Sequence, residues 1–469
     1  MKITVDTDRC QGHNRCHAVA PDLFDIDDLG YATAATAGDL GPGSEHRAQL
    51  AASNCPEHAI RLDDEPGATV NRPPVTDWAT DFDHLDPGFV EDPHAVYSRL
   101  RDECPVAHTD RYHGVWIPTR YEDLAAIAHD HQRFSSRTIL VTDRAESPTD
   151  LGFHAPPITE DPPYHTDIRR LLLPVFSPAV VAAYEPITET MANDLIDGFI
   201  DRGECDAAAD YAQHVPIKVI TRMLGIPDSD HAQFKDWIHR LIEESPLAGE
   251  TTFDAIFEIG GYLAGHVEDH RATPRDDIIT HLLDARMPDG RALEDPEILG
   301  VCILLLLAGI DTTWSAIGAS LLHLATHPDD RRRLIEEPDL IHSATEEFLR
   351  VFAPVTMARE VIEDTVIGGC PMRTGDRVLL PFPSGNRDPA VFDQPDRVIL
   401  DREVNRHFAF GVGIHRCLGS NLARMELRVT IQTWLRRIPN FTLTDPDAVT
   451  WSAGQVRGPR TLPLAFPPA

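Results

Sequence analysis

The stretch FGVGIHRCLG, Phe410 to Gly419, sets one cysteine between a glycine loop and a helical pattern. Gly411 and Gly413 permit a tight loop with positive φ values. The residues that follow, LGSNLARMELRVTIQTWLRR, have the apolar spacing of a helix, so Cys417 stands where that helix begins. A thiolate in that position is stabilised by free backbone N–H groups and by the helix dipole. The same donors tune the electron density that the sulfur pushes onto a metal, and a thiolate so held suits the axial position of a haem iron.

Upstream, Val301 to Ile310 reads VCILLLLAGI, the most apolar run of the chain, within a helix expected from about Glu297 to Thr326. The run is far shorter than the roughly 20 residues that span a bilayer, and reads as the core face of a buried helix. Pro296 suits the first turn and Pro328 follows the end. Asp311 and Thr312 come directly after LLLLAGI, and a polar pair in a core helix is costly without partners or work. Thr312 can bond back to the Ala308 carbonyl and open the helix ladder. Gly309 would let backbone approach a flat cofactor closely. Glu347 and Arg350, three apart, share a helix face and can pair. The segment DPPYHTDIRR puts His165 and Arg169 on one face as well.

The chain has 469 residues and a net charge of −33, with 42% hydrophobic and 25% charged residues. That length implies more than one folded unit, and the composition is that of a soluble globular protein. The acidic balance excludes nucleic acid and an anionic membrane surface as partners. The start lacks a basic region followed by an apolar run, so the expected location is cytoplasmic, with reduced cysteines. Residues 66–93, rich in Pro, Gly and Asp, read as a linker between a unit at 1–65 and one at 94–469. In the small unit Cys10, His13 and Cys16 recur at intervals of three, and Cys55 follows much later, directly before Pro56. Converging thiolates suit an iron–sulfur cluster or zinc, and zinc ligands usually pair two and two at short spacing. Three candidates at one end and one far away fit a cluster better. Cys104, Cys205, Cys302 and Cys370 have no metal-like spacing and read as small buried hydrophobes.

The cysteine loop resembles the ligand signature of the cytochrome P-450 family, F-G-x-G-x-x-x-C-x-G. Glu347-Phe-Leu-Arg350 and Ala308-Gly-Ile-Asp-Thr-Thr313 match further family motifs in the right order and spacing. Residues 1 to 65, with their Cys-Pro ending, resemble a single-cluster bacterial ferredoxin. The resemblance implies an α+β multidomain chain: a small α+β ferredoxin domain, then a mainly α cytochrome P-450 fold with small β-sheets. It implies haem b bound through Cys417, with Ala308 and Gly309 forming the groove where dioxygen binds. Asp311 would relay protons from solvent, and Thr312 would hydrogen-bond the distal oxygen. His165, Arg169, Arg359 and His415 would hold the haem propionates. Phe410 would pack beneath the macrocycle near the thiolate, with Gly419 ending the motif. Glu347 and Arg350 would be structural, and Asn386 to Pro389 with HFAFG around His407 would be scaffold. Tyr164 stands where the family often has an acidic residue. In the ferredoxin unit, Cys10, Cys16 and Cys55 would hold the cluster. His13 occupies the place of the second cysteine of a four-iron ferredoxin, which favours a 3Fe-4S cluster over a 4Fe-4S cluster with His13 as fourth ligand.

The combination implies a monooxygenase with a fused electron donor, supplied by a separate NAD(P)H-dependent ferredoxin reductase. A nucleotide-binding G-x-G-x-x-G in strand–helix context and a flavin unit are both absent from the sequence. Hydroxylation or oxidative dealkylation of a mainly apolar small organic substrate by dioxygen is expected. Segments 133–160, 240–256 and 354–358 are read as covering the pocket, through Ile139, Leu140, Phe153, Leu247, Val355 and Met357. A peroxide-driven peroxygenase is the alternative, against which Asp311 and Thr312 speak. A non-catalytic redox or gas-sensing haem protein ranks last, with no regulatory module beside it. The acidic surface suits docking of a basic patch on the reductase.

Overall fold

In the small unit, strands β1 (Lys2–Val5), β2 (Phe24–Ile26), β3 (Ala32–Ala34) and β4 (Ile60–Asp63) form antiparallel pairs, β1 with β4 and β2 with β3. Helix α1 (Arg15–Val19) lies against β2. Cys10 and Cys16 are both buried, in an apolar core with Leu23 and Phe24. The computed structural model describes residues 2–5, 10, 15–27, 31–35, 47–48, 51, 59–63, 72–142, 149, 154–240 and 251–468. Backbone contacts divide the chain into Met1–Pro73 and Pro74–Ala469.

The segment read as a linker is folded from Pro74 onward and belongs to the large unit. Phe82 and Phe89 are buried with Tyr97 and Leu100 in one apolar cluster. Two aspartates of that segment are caps: Asp86 starts the short helix Pro87–Glu91, and Asp92 accepts from His94 and Ala95 N–H at the start of α2 (Pro93–Glu103).

The large unit is mainly helical. Its principal helices after α2 are α3 (Tyr164–Leu172), α4 (Pro178–Asp197), α5 (His214–Met223), α6 (Thr251–Ala272), α7 (Asp295–Thr326), α8 (Ile341–Val351) and α9 (Ser420–Arg437). A five-stranded sheet flanks them, built from β5 (Val106–Thr109), β6 (Val115–Pro118), β7 (Phe134–Ser135), β8 (Thr356–Val361) and β9 (Arg377–Pro381) in the order β5-β6-β9-β8-β7. Only the β6–β9 pairing is parallel. Helix α7 runs through the core against α5, α6 and α9, and α9 lies along α4.

Helix α7 begins two residues before its expected start, because Glu294 and Glu297 form a reciprocal capping box around Pro296. At 32 residues it is long and apolar enough to cross a membrane, but most of its apolar window is buried inside the protein. The short run VCILLLLAGI is therefore the centre of a much longer core helix. Cys302 and Cys205 are buried, as expected of small hydrophobes. Cys104 and Cys370 are only half-buried, and both thiols face the Val106 carbonyl, at 3.6 and 3.9 Å.

Glu347 and Arg350 on α8 are fully buried and paired at 2.8 Å. Arg402 donates to the same carboxylate at 2.9 Å, and Ile399 N–H reaches it at 2.9 Å. Arg350 in turn donates to the carbonyls of Asn386, Pro395 and Arg397. The pair thus ties α8 to the chain that leads into the cysteine loop. Asn386 Oδ1 accepts from Phe408 N–H at 2.5 Å, fixing the HFAFG segment from the other side.

Glu426 on α9 is buried, and burial lifts its carboxyl to about 8. Between its ordinary value and pH 8 the unfolded chain releases this proton while the native state keeps it. Stability therefore falls as pH rises through that window. Glu426→Gln is expected to remove that fall and to add about 3 kcal/mol at pH 7. Denaturant melts of both proteins at pH 5 and pH 7.5 measure it; parallel pH slopes would refute it.

Candidate active site

The cysteine loop closes as its glycines require. Gly411 and Gly413 have φ of 62° and 74°. A Cβ on Gly413 would stand 2.2 Å from the Ala128 carbonyl oxygen, so only glycine fits that turn. Cys417 N–H donates to the Phe410 carbonyl at 2.8 Å, and Arg416 N–H to the Gly413 carbonyl at 3.2 Å. Helix α9 starts at Ser420, with Gly419 as its N-cap, so the cysteine precedes the helix rather than opening it. Cys417 keeps exposed surface, yet burial pushes its thiol up, against the Gly419 backbone N–H and the charges of Arg169, Arg416 and Arg424.

On α7, Ala308 is exposed between half-buried Leu307 and Gly309, while Leu305, Leu306, Ile310 and Asp311 around it are buried. Thr312 Oγ1 donates to the Ala308 carbonyl at 2.8 Å, as its spacing predicts. A Cβ on Gly309 would lie 3.5 Å from Ile220 on α5, an ordinary contact. Asp311 is buried rather than open to solvent, and Arg460 Nη2 donates to it at 2.7 Å. The Arg460 guanidinium also lies 4.2 Å over the Trp314 ring and reaches Ser315 Oγ at 3.3 Å. Nothing in the sequence around Arg460 marked it.

His165, Arg359 and His415 converge from α3, β8 and the cysteine loop. The rings of His165 and His415 lie 4.2 Å apart. Both ring nitrogens of His165 and Nε2 of His415 are buried without a hydrogen-bond partner. Burial holds His165 down at about 4 and His415 at about 2, with Arg169 and Arg359 adding to the effect. Arg359 is lowered to about 10 by burial and donates to the Ala358 carbonyl at 2.6 Å. Neighbouring His131 acts electrostatically on both histidines and escaped the motif reading. Unsatisfied buried donors around a buried cation cost free energy unless an anion joins them, and carboxylates are the natural complement. Together with the thiol and the exposed Ala308, this donor set fits haem with its two propionates. Arg169 Nη2 donates to the Arg416 carbonyl at 2.6 Å, bracing the loop one residue before Cys417, and its charge acts on both histidines. Phe410 packs against the core with the Arg424 guanidinium 4.5 Å from its ring. Tyr164 donates to Glu297 at 2.6 Å and so joins α3 to the first turn of α7.

In the small unit Ala32 N–H points to Cys10 Sγ at 3.5 Å, the kind of contact that stabilises a thiolate ligand. His13 and Cys55 lie outside the described residues, as do Phe153 and Leu247 of the expected pocket cover. Among the covering residues that are described, Leu140 is exposed and Met357 packs against the sheet.

Residues 110–450 match the family model of cytochrome P450, and residues 3–62 match that of the 4Fe-4S single cluster domain. The mycinamicin IV hydroxylase/epoxidase of Micromonospora griseorubida is 32% identical over 79% of this chain and 94% of its own. The vitamin D(3) 25-hydroxylase of Pseudonocardia autotrophica is 34% identical over 81% and 95%. Among solved structures, cytochrome P450 PksS of Bacillus subtilis superposes with a TM-score of 0.76 at 32% identity, covering 82% of this chain and 99% of its own.

Proposed function

The chain belongs to the cytochrome P450 family, as a haem-thiolate monooxygenase with an iron–sulfur domain ahead of it, and on that basis we propose that the small unit is its electron donor. In this reading Cys10, Cys16 and Cys55 would hold a cluster that takes electrons from an external NAD(P)H-dependent ferredoxin reductase, and Cys417 would hold the haem that receives them. One observation carries it: both redox units are parts of one polypeptide, so the donor's effective concentration is set by the tether rather than by diffusion. His13 at the second ligand position supports a 3Fe-4S cluster on Cys10, Cys16 and Cys55.

Bound haem supplies dioxygen activation, with electron density pushed from the thiolate. The chain's residues supply the rest. His165, Arg359 and His415 receive the propionates and fix the cofactor's orientation. Thr312 donates its one hydroxyl proton to the Ala308 carbonyl, which leaves its oxygen free to accept a hydrogen bond from the haem side. Asp311 takes the proton-transfer position, with its carboxylate held in place by Arg460. The relatives named for hydroxylating mycinamicin IV and vitamin D(3) support a mainly apolar organic substrate.

The test follows NAD(P)H-driven reduction of the haem under carbon monoxide, which needs no substrate. With a ferredoxin reductase, the intact protein should form its ferrous–carbon monoxide complex rapidly. Cys16→Ala should slow this about 100-fold, a loss of roughly 2.7 kcal/mol in the barrier, and leave dithionite reduction intact. Non-haem iron, counted apart from the haem iron, should fall below one per sulfide for a 3Fe-4S cluster. An unchanged rate in Cys16→Ala would sink the donor role.

A further inference from the structure

A cavity of about 270 Å³ lies along α7 beyond Thr312, bounded by α2, the end of α8 and the 451–457 segment. At 1.5 Å per residue, its wall from Ala319 to His327 begins about 10 Å and ends about 22 Å along the axis from Thr312. It is therefore separate from the groove at Ala308. Two arginines and four histidines line it, and no aspartate or glutamate does, in a chain of net charge −33.

Of its basic groups His323 is paired with Asp330 at 2.8 Å, whereas Arg457, Arg387 and His94 are less well satisfied. Arg457 donates to the main-chain carbonyls of Val90 at 2.6 Å and Glu91 at 3.3 Å, with its guanidinium 4.0 Å over Trp451. Arg387 donates to the Val351 carbonyl at 3.1 Å and reaches Asp396 only at 3.4 Å, a carboxylate that is 72% exposed. Nε of Arg387 and Nδ1 of His94 are buried without a hydrogen-bond partner. Burial lowers Arg387 and Arg457 to about 10. Burial also pushes His94 well below its usual value, and Arg387, Arg457 and Arg101 push it further. Like charges gathered in a desolvated place oppose the folded state, and perturbed groups of this kind cluster at binding sites. The remaining lining is apolar, with Phe89, Leu322 and Phe352 among it.

We propose that this cavity binds a small organic carboxylate, its charged end between Arg387, Arg457 and His94 and its ring or chain against the apolar wall. The cavity shares the Pro354–Thr356 wall with the segment expected to cover the substrate, tied by Thr356 N–H to Gln455 and Arg457 N–H to Pro354, both at 2.8 Å. Binding at the two places must therefore be read separately. Fluorine NMR titration of the full-length holoprotein with 4-fluorophenylacetate reports the cavity, and the optical spectrum of the ferric haem reports the substrate site. The acid should bind at least tenfold more tightly than the uncharged 4-fluorophenylacetamide, without changing the haem spectrum. Arg457→Gln and His94→Phe should each weaken the acid tenfold or more and leave the amide unaffected. Should Arg457→Gln fail to fold through loss of its carbonyl bonds, His94→Phe and the cavity-filling Ala319→Leu carry the same test. Equal affinity for acid and amide, or an acid affinity untouched by the variants that fold, overturns the proposal.

Discussion

Cys417→Ser is expected to abolish the thiolate signature of the ferrous–carbon monoxide spectrum and to lower turnover by about 10³-fold or more, equivalent to about 4 kcal/mol in the barrier. The substitution is nearly isosteric and leaves the loop intact. Gly411 and Gly413 keep their positive φ, and the Cys417 N–H keeps its bond to Phe410. What changes is the ligand atom. A serine hydroxyl does not ionise where a thiol does, and it donates far less electron density to iron. Haem should still be incorporated in part, because His165, Arg359 and His415 are untouched by the change. The informative comparison is therefore haem content against spectrum. Full haem content with an unaltered carbon monoxide band would contradict the assignment of Cys417 as the ligand.

The residues legible from sequence alone are those whose partners lie within a turn or a loop. Thr312 and the Ala308 carbonyl are four apart, Glu347 and Arg350 three apart, and the glycines of the cysteine loop precede Cys417 by a few positions. Each of these arrangements follows from helix or turn geometry, so the motif already contains the contact. Arg460 joins Asp311 across 149 positions, and Arg402 joins Glu347 across 55. Neither pairing has a local pattern to reveal it, since the topology decides which strand end meets which helix. The same reason explains the misjudged linker. Its prolines, glycines and aspartates have the composition of a linker, while the packing of Phe82 and Phe89 on Tyr97 and Leu100 depends on where α2 lies.

Glu347→Ala should destabilise the large unit by about 3–5 kcal/mol, the cost of leaving a buried cation without its partner. An exposed pair supplies the scale. Arg99 and Glu103 on α2 stand four apart at 2.8 Å, the separation found for Arg350 and Glu347, but with side chains 56% and 63% exposed. Water solvates either partner when the other is removed, so Glu103→Ala should cost less than about 0.5 kcal/mol. Equal distance with unequal burial isolates desolvation as the deciding factor. At Glu347 the loss is compounded. Arg350 and Arg402 both lean on its carboxylate, and Ile399 N–H and Asn405 Nδ2 also donate to it. Arg350 would then carry an uncompensated charge while still bonded to three carbonyls between Asn386 and Arg397. Reversing the order of residues should not restore the site, because a glutamate at 350 could not donate to those carbonyls. Glu347→Gln retains the volume and one acceptor oxygen, so it should fall between Glu347→Ala and the parent protein. Thermal melts of the holoprotein, read by haem absorbance and by far-ultraviolet circular dichroism, measure all three variants. A Glu347→Ala melt as mild as that of Glu103→Ala would mean that Arg350 finds solvent, and that the buried pair does not hold the chain leading into the cysteine loop.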